Sequence, residues 1–170
     1  MMANGTRRET AGAVQVTVFI GTFENKVDRK GRVSVPAQFR QTLADQSFQG
    51  IVAFRSYRAS AIEACGFDFM ERLNEGMSSM DLFSDAHDDL AATIFADSQQ
   101  LPFDGDGRII LPDQLAAHAG ISERAAFVGK GPIFQIWEPE ALEIHKNEAR
   151  ARARSQGLTL PLRPRDGGGR

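Results

Sequence analysis

The sequence has 170 residues, of which 42% are apolar and 25% are charged, and its formal net charge is −2. This composition is ordinary for one or two small globular domains, and no apolar run reaches the roughly 20 residues that a membrane-spanning helix needs. The single cysteine, Cys65, excludes an internal disulfide, and no signal-peptide core follows the polar N-terminal residues. We therefore expect a cytoplasmic protein with no membrane partner.

Charge is distributed unevenly along the chain. The segment from Lys26 to Arg40 has a net charge of +4, whereas the segment from Phe67 to Leu90 has a net charge of −6. From Lys146 to the C-terminus, seven basic residues stand against two acidic ones. Such separation gives a molecule a positive surface even when its total charge is slightly negative. The first basic segment is a candidate for contact with a polyanion, and we interpret the acidic segment as solvated surface.

The first part of the chain predicts a strand, a tight turn, a second strand and a helix. Residues from Val14 to Ile20 alternate between apolar and polar side chains, as strands do. Asp28 to Gly31 predicts a turn, because Asp can cap its own backbone and Gly tolerates a positive φ. Arg32 to Val35 alternates like a strand, and Pro36 suits the first turn of a helix over 37–44.

Further strands and helices follow in the same order in both halves. Strands are predicted at 51–57 and 60–64, and an amphipathic helix comes next. Later strands at 125–129 and 133–137 precede a helix that opens at Glu138-Pro139-Glu140, where Pro and acidic residues suit the first turn. The tail from Ser155 is rich in Pro, Gly and Arg and is predicted to be disordered.

Residues 27–39 and 103–115 are two copies of one motif, shifted by 76 residues. Five identities recur in this register: Asp28/Asp104, Gly31/Gly107, Arg32/Arg108, Pro36/Pro112 and Gln38/Gln114. The apolar positions correspond as well, so the chain contains a duplicated unit. The predicted organisation is a flexible N-terminus (1–13), a first repeat (14–77), a linker (78–90), a second repeat with a C-terminal helix (91–154) and a disordered tail (155–170).

The segment from Gly21 to Arg40, GTFENKVDRKGRVSVPAQFR, resembles the opening of the MraZ family, and the second copy with Phe134 to Glu138 stands where that family has its second repeat. The resemblance covers about residues 16–152. It implies an α+β fold in which two AbrB-like or SpoVT-like β-loop-helix-β units interleave into a double-psi, swapped-hairpin β core, with short helices and a C-terminal helix. Single-copy relatives reach this arrangement only by dimerising.

The same resemblance implies a sequence-specific DNA-binding transcriptional regulator, expected to be a repressor, of the division and cell-wall gene cluster. Such a protein would act at the nucleoid as a ring-shaped homo-oligomer on direct repeats in promoter DNA. Lys26, Arg29, Lys30 and Arg32 are then expected to bind DNA, with Arg32 oriented by Asp28. The alternative function is a ring-forming scaffold or protein-interaction module without DNA binding.

The second copy lacks the basic character of the first. Gly105 and Asp106 stand in place of Arg29 and Lys30, and residues 102–116 have a net charge of −2. Because such a segment is a poor phosphate binder, we expect a mainly structural role for Asp104, Gly107 and Arg108. In the first copy, Asp28 and Gly31 are expected to be structural residues of the motif. In both copies, an Asp four residues before an Arg can also be a structural ion pair alone, and this alternative stays open.

No pattern predicts an enzyme, a metal site or a cofactor site. Asp104-Gly-Asp-Gly107 resembles the middle of a calcium-binding loop, but Pro102 and Asp113 stand at its first and last ligand positions. His87, His118 and His145 lack the spacing of metal ligands. We therefore expect no catalytic residues, metal, cofactor or small-molecule substrate, and we expect double-stranded DNA and further copies of the chain as partners.

Overall fold

The structure, a computed structural model, describes residues 17–164, so the predicted N-terminus at 1–13 and the end of the tail at 165–170 lie outside the described residues. The strands are β1 (Thr22–Lys26), β2 (Arg32–Ser34), β3 (Gly50–Arg55), β4 (Ile62–Cys65), β5 (Gln99–Pro102), β6 (Arg108–Ile110), β7 (Arg124–Gly129) and β8 (Phe134–Trp137). The helices are α1 (Ala37–Thr42), α2 (Phe67–Met77), α3 (Asp85–Leu90), α4 (Asp113–Ala119) and α5 (Pro139–Ser155). A π-helical turn, Ala91–Phe95, follows α3 directly.

The two halves of the chain interleave. Six antiparallel strands form one sheet in the order β1-β7-β8-β4-β3-β5, and β2 pairs with β6 in a separate two-stranded ribbon. The pairs β1–β7, β3–β5, β4–β8 and β2–β6 each join a strand of the first half to a strand of the second. The predicted α+β fold of interleaved units is confirmed. Within residues 17–164 its sheet is open, with β1 and β5 at the edges, rather than closed into a barrel.

The repeats are related by an approximate two-fold axis. In the β2–β6 ribbon Val33 lies opposite Ile109, its own counterpart in the second copy. At the centre of the sheet Glu63 lies opposite Gln135, and β4 and β8 are each followed by a helix, α2 or α5. The helices α2 and α5 therefore occupy equivalent positions in the two halves.

The sheet is buried on both faces. Along β3, Ile51 and Ala53 point into the main core, whereas Val52 and Phe54 point to the opposite side, because successive side chains of a strand alternate. The ribbon, α1 and α4 cover the main core, where the ring of Phe39 packs 4.9 Å from that of Phe134. On the opposite side α2 packs over β3, and α5 packs over β7. The ribbon therefore covers the main core with one face only, and its other face is exposed.

Three elements differ from the sequence-based prediction. In the described part of the predicted strand at Val14 to Ile20, only Phe19 forms a bridge, to Gly131, and the chain turns at Gly21 (φ 97°) before β1 begins. The predicted linker at 78–90 contains α3, whose first turn is capped by the Ser84 hydroxyl. The polar strand β5 was not predicted, because its Gln-rich sequence forms a strand only through pairing with β3.

Candidate nucleic-acid interface

The carboxylate of Asp28 fixes the first loop. Its Oδ1 accepts the backbone N–H groups of Lys30 and Arg32, both at 2.9 Å, and its Oδ2 accepts Nε of Arg32 at 2.7 Å. These donors, the Arg32 backbone first among them, hold the pKa of Asp28 below its ordinary value. Gly31 closes the turn with a φ of 77°, a conformation that other residues rarely adopt. The loop therefore holds Arg32 in a fixed position beside Asp28.

The four predicted DNA-binding cations lie on one hairpin. Lys26 ends β1, Arg29 and Lys30 form the tip of the loop, and Arg32 begins β2. A bridge between Val27 and Val33 holds the two arms together. The side chains of Lys26, Arg29 and Lys30 are exposed and make no hydrogen bond or ion pair with any residue in the described part of the chain. Their positive charge is available to a partner.

The second loop has the same geometry. Asp104 accepts the backbone N–H groups of Asp106 and Arg108 at 2.9 Å and the Nε of Arg108 at 2.8 Å, while a terminal nitrogen of Arg108 lies 3.2 Å from Asp106. The hydrogen bond to Asp104 raises the pKa of Arg108, and the negative charges of Asp104, Asp106 and Asp28 add to this effect. In this loop, therefore, two carboxylates, those of Asp104 and Asp106, bind the same guanidinium.

Both motif arginines lie on the free face of the ribbon. Arg32 is paired with Ile110 and Ser34 with Arg108, and these side chains point away from the buried Val33 and Ile109. The two loops stand at opposite ends of the ribbon. At one end the carbonyl of Gly31 accepts the backbone N–H of Leu111, and at the other end the carbonyl of Gly107 accepts the backbone N–H of Val35. The outer face therefore runs from a basic loop to an acidic one.

Sequence reasoning missed two features of this surface. Ile110 is 63% exposed beside Arg32, a position that strand alternation from the buried Ile109 could have indicated. Arg40 belongs to the first basic segment in the sequence, but its guanidinium lies against the second loop. It is so close to Gly107 that a Cβ atom added to this glycine would lie 2.5 Å from the guanidinium carbon. The backbone carbonyl of Val35 holds Arg40 there, accepting its Nε at 3.1 Å. Arg40 thus contributes charge at the second loop, and nothing in the sequence signals this.

Other titratable side chains form no comparable cluster. Among residues 17–164, no three His, Cys, Asp or Glu side chains come together as a metal site would require. Burial raises the pKa of the Cys65 thiol to about 12, so this side chain is a poor nucleophile. The helices in this part of the chain include none that is long and apolar enough to cross a membrane.

Comparison with known proteins agrees with the motif. The family model for the MraZ protein matches residues 18–57 and 94–158, so each matched stretch contains one Asp-x-x-x-Arg loop. The chain belongs to the MraZ family. Proteins named transcriptional regulator MraZ from Rickettsia akari (strain Hartford) and Rickettsia rickettsii (strain Sheila Smith) are 46% and 45% identical over 145 residues, which is 85% of this chain and 97% of each relative. One from Rickettsia bellii (strain OSU 85-389) is 43% identical over 146 residues. The family resemblance seen in the motifs is confirmed.

Proposed function

We propose that this MraZ family member is a transcriptional regulator that binds double-stranded DNA through its first loop and the outer face of the β2–β6 ribbon. The observation that carries the proposal is the geometry of Arg32, which Asp28 holds on that face beside the exposed Arg29 and Lys30. The similarity to transcriptional regulators of the same family supports a role in transcription. On this proposal the protein works in the cytoplasm, at the nucleoid.

A two-stranded ribbon can enter the major groove of B-DNA. The Nε of Arg32 is occupied by Asp28, and its two terminal nitrogens bond to no other residue of the described chain. A guanidinium fixed in this way offers a fork to O6 and N7 of guanine. Ile110, exposed next to it, suits contact with a thymine methyl group. Arg32 and Ile110 would thus read bases.

Lys26, Arg29 and Lys30 would bind phosphates. Long, exposed cations without protein partners contribute affinity and salt dependence rather than sequence preference. At the second loop Asp104 and Asp106 offset the charges of Arg108 and the neighbouring Arg40, so this loop offers a phosphate backbone less than the first loop does. We therefore propose that Asp104, Gly107 and Arg108 mainly stabilise the folded structure, and that Asp28 and Gly31 position Arg32.

One hairpin offers at most about four charged contacts, too few for tight binding at physiological salt. We propose that copies of the chain form a ring that presents one hairpin per subunit to direct repeats in the promoter of the division and cell-wall gene cluster, so that avidity multiplies weak contacts. The outcome expected there is repression. In this scheme residues 14–77 and 91–154 are the two repeats, and 78–90 connects them.

The test is a gel-shift titration on the DNA upstream of the protein's own gene, with a scrambled fragment of equal length as reference. Wild-type protein should prefer the upstream fragment, and Arg32→Ala should lose that preference, by roughly tenfold to a hundredfold per recognised base pair. The matched control, Arg58→Ala, removes an exposed arginine from the β3–β4 connection and should keep it. Equal binding by Arg32→Ala would refute the role of Arg32. Absence of any shift with wild-type protein would instead favour the scaffold function.

A further inference from the structure

A cavity of about 640 Å³ lies on the side of the sheet opposite the main core, with α2 and α5 on its two sides. Its floor includes Glu63 of β4 and Gln135 of β8, which are opposite each other in the register, so the cavity lies where the two halves of the chain meet. Small-molecule sites in proteins have volumes of about 300–1,000 Å³. The cavity is therefore large enough for a small molecule, and the proposed function does not use it.

Three polar side chains form a chain of hydrogen bonds that ends at the cavity floor. The indole Nε1 of Trp137 donates to Oε1 of Gln135 at 2.9 Å, and Nε2 of Gln135 donates to Oε1 of Glu63 at 2.9 Å. Because an indole N–H can only donate, this order determines which way the carboxamide of Gln135 points. The network thus fixes the carboxylate of Glu63 through one of its two oxygens.

The other oxygen of Glu63 is not satisfied by the fold. Oε2 is buried and accepts no hydrogen bond from any residue in 17–164. Such an atom is costly, and the great majority of buried polar atoms in proteins are paired. The Nε2 of Gln135 also keeps a second hydrogen that no described residue accepts. The floor therefore offers an acceptor next to a donor, and a ligand that satisfies both must present a donor next to an acceptor.

The walls and the opening of the cavity suit a flat, acidic ligand. Phe69 and Leu73 of α2 form an apolar wall, and the imidazole of His145 lines the α5 side. Burial lowers the pKa of His145, so this ring is neutral near pH 7 and can stack on a flat heterocycle. Exposed cations stand at the opening, Arg152 among them, and the carboxylate of Glu148 lies 3.9 Å from its guanidinium. The opening can therefore receive an anionic group.

We infer that this cavity binds a purine nucleotide, with the base on the floor and the phosphate at Arg152. Both purines present the required pair of groups, N6–H beside N1 in adenine and N1–H beside O6 in guanine. The donor of the base binds Oε2 of Glu63, and its acceptor takes the remaining N–H of Gln135. The base packs against Phe69 and His145, and the guanidinium of Arg152 binds the phosphate. The inference does not depend on the proposed function, because the cavity and the ribbon lie on opposite sides of the sheet.

The test measures the binding of AMP and GMP to the full chain. Trp137 is the one tryptophan of the sequence and belongs to the network at the floor, so its fluorescence should change when a base binds. It is excited at the red edge of its absorption, where nucleotides do not absorb, and calorimetry gives each affinity independently. At least one of the two nucleotides should bind, and ribose 5-phosphate, which lacks the base, should bind at least about tenfold more weakly. The comparison of AMP with GMP shows which purine edge the floor reads.

Two variants and two matched controls locate the ligand. Glu63→Gln keeps an oxygen for Gln135 but places an amide N–H where the free oxygen stood, so it should weaken nucleotide binding by about tenfold or more, because two donors then meet. Arg152→Ala should lower the affinity for the nucleotide to that for its nucleoside and leave the affinity for the nucleoside unchanged. Glu143→Gln and Arg150→Ala make the same changes at exposed positions of α5 outside the cavity and should bind like wild type.

The inference fails if wild-type protein binds neither nucleotide at millimolar concentration, since the cavity then holds water alone. It also fails if Glu63→Gln, shown by circular dichroism to be folded, binds with wild-type affinity. Should that variant not fold, the exposed Arg152→Ala judges the site by itself, and an unchanged affinity for the nucleotide would refute the site. Equal binding of ribose 5-phosphate would indicate an anion site without base recognition and would refute it too. The Arg32→Ala titration tests the ribbon separately from all of these results.

Discussion

Removal of the two cations at the tip of the first loop gives the sharpest quantitative test of the proposed interface. Arg29 and Lys30 are exposed, and their side chains bond to nothing else among the described residues. Arg29→Ala/Lys30→Ala should therefore leave folding unchanged, because the backbone N–H of Lys30 still donates to Asp28. Binding should weaken on every DNA sequence by the same factor, since phosphates are common to all of them.

The size of the effect follows from counterion release. Lys26, Arg29 and Lys30 supply three phosphate contacts per hairpin, which corresponds to a slope of about −2.7 for log K against log salt. The double variant retains Lys26 alone, so the slope should fall to about −0.9. Between about 50 and 200 mM salt, wild-type affinity per hairpin should drop about 40-fold and the variant's about fourfold. If several hairpins of a ring bind together, both slopes grow in proportion.

The assay is a fluorescence-anisotropy titration at several salt concentrations, on the upstream fragment and on its scrambled counterpart. Arg58→Ala/Lys130→Ala serves as the charge-matched control, because both side chains are exposed away from the ribbon. It should keep the wild-type slope. An unchanged slope for Arg29→Ala/Lys30→Ala would show that the loop does not meet phosphates. Equal flattening by the control would show that total charge, rather than this hairpin, governs binding.

Three further outcomes are expected. Phe39→Ala removes a buried ring packed against Phe134 and should lower the free energy of unfolding by about 3–5 kcal/mol, measured by urea denaturation, with the exposed Tyr57→Ala as a near-neutral control. The Cys65 thiol should resist labelling by iodoacetamide at about pH 8 until the protein unfolds, because burial raises the pKa of this thiol to about 12. Rapid labelling of the folded protein would contradict the burial of Cys65. Arg108→Ala should lower the melting temperature modestly, because it leaves Asp104 and Asp106 without their cation, and should weaken DNA binding less than Arg32→Ala does. A greater loss of DNA binding than for Arg32→Ala would mean that the second loop also reads DNA.

The repeat made most of the fold predictable. Matching Asp, Gly and Pro residues at a shift of 76 predicted both turns, both ribbon strands and the helices that follow them. Helix α4 begins at Asp113, directly after Pro112, the counterpart of Pro36, and Glu138 caps α5 by accepting the N–H of Ala141 at 2.8 Å. These elements were predictable because local chemistry determines them: a proline or an acidic cap starts a helix, and a glycine permits a turn.

The remaining elements depend on contacts distant in sequence. The strand β5 contains Gln99, Gln100 and Pro102, residues of low strand propensity, and forms because β3 provides a hydrogen-bonding edge. Likewise, Arg40 counted toward the first basic segment, but its guanidinium lies against Gly107 because α1 packs next to the second loop. Charge counted along a sequence locates a basic segment, whereas only the fold shows which loop each cation serves.

The difference between the loops gives the ribbon a direction. Two identical copies would present the same charge at both ends of the ribbon, and such a two-fold surface suits a palindromic site. Here Arg29 and Lys30 stand at one end, and Asp104 and Asp106 stand at the other. On the proposed function, the ribbon approaches the DNA backbone with its basic end, because at the other end Arg40 and Arg108 merely balance the two carboxylates, so each subunit reads its site in one orientation. In the proposed ring, copies related by the rotation axis would keep that orientation from subunit to subunit, and a row of direct repeats is the arrangement of sites that would match them.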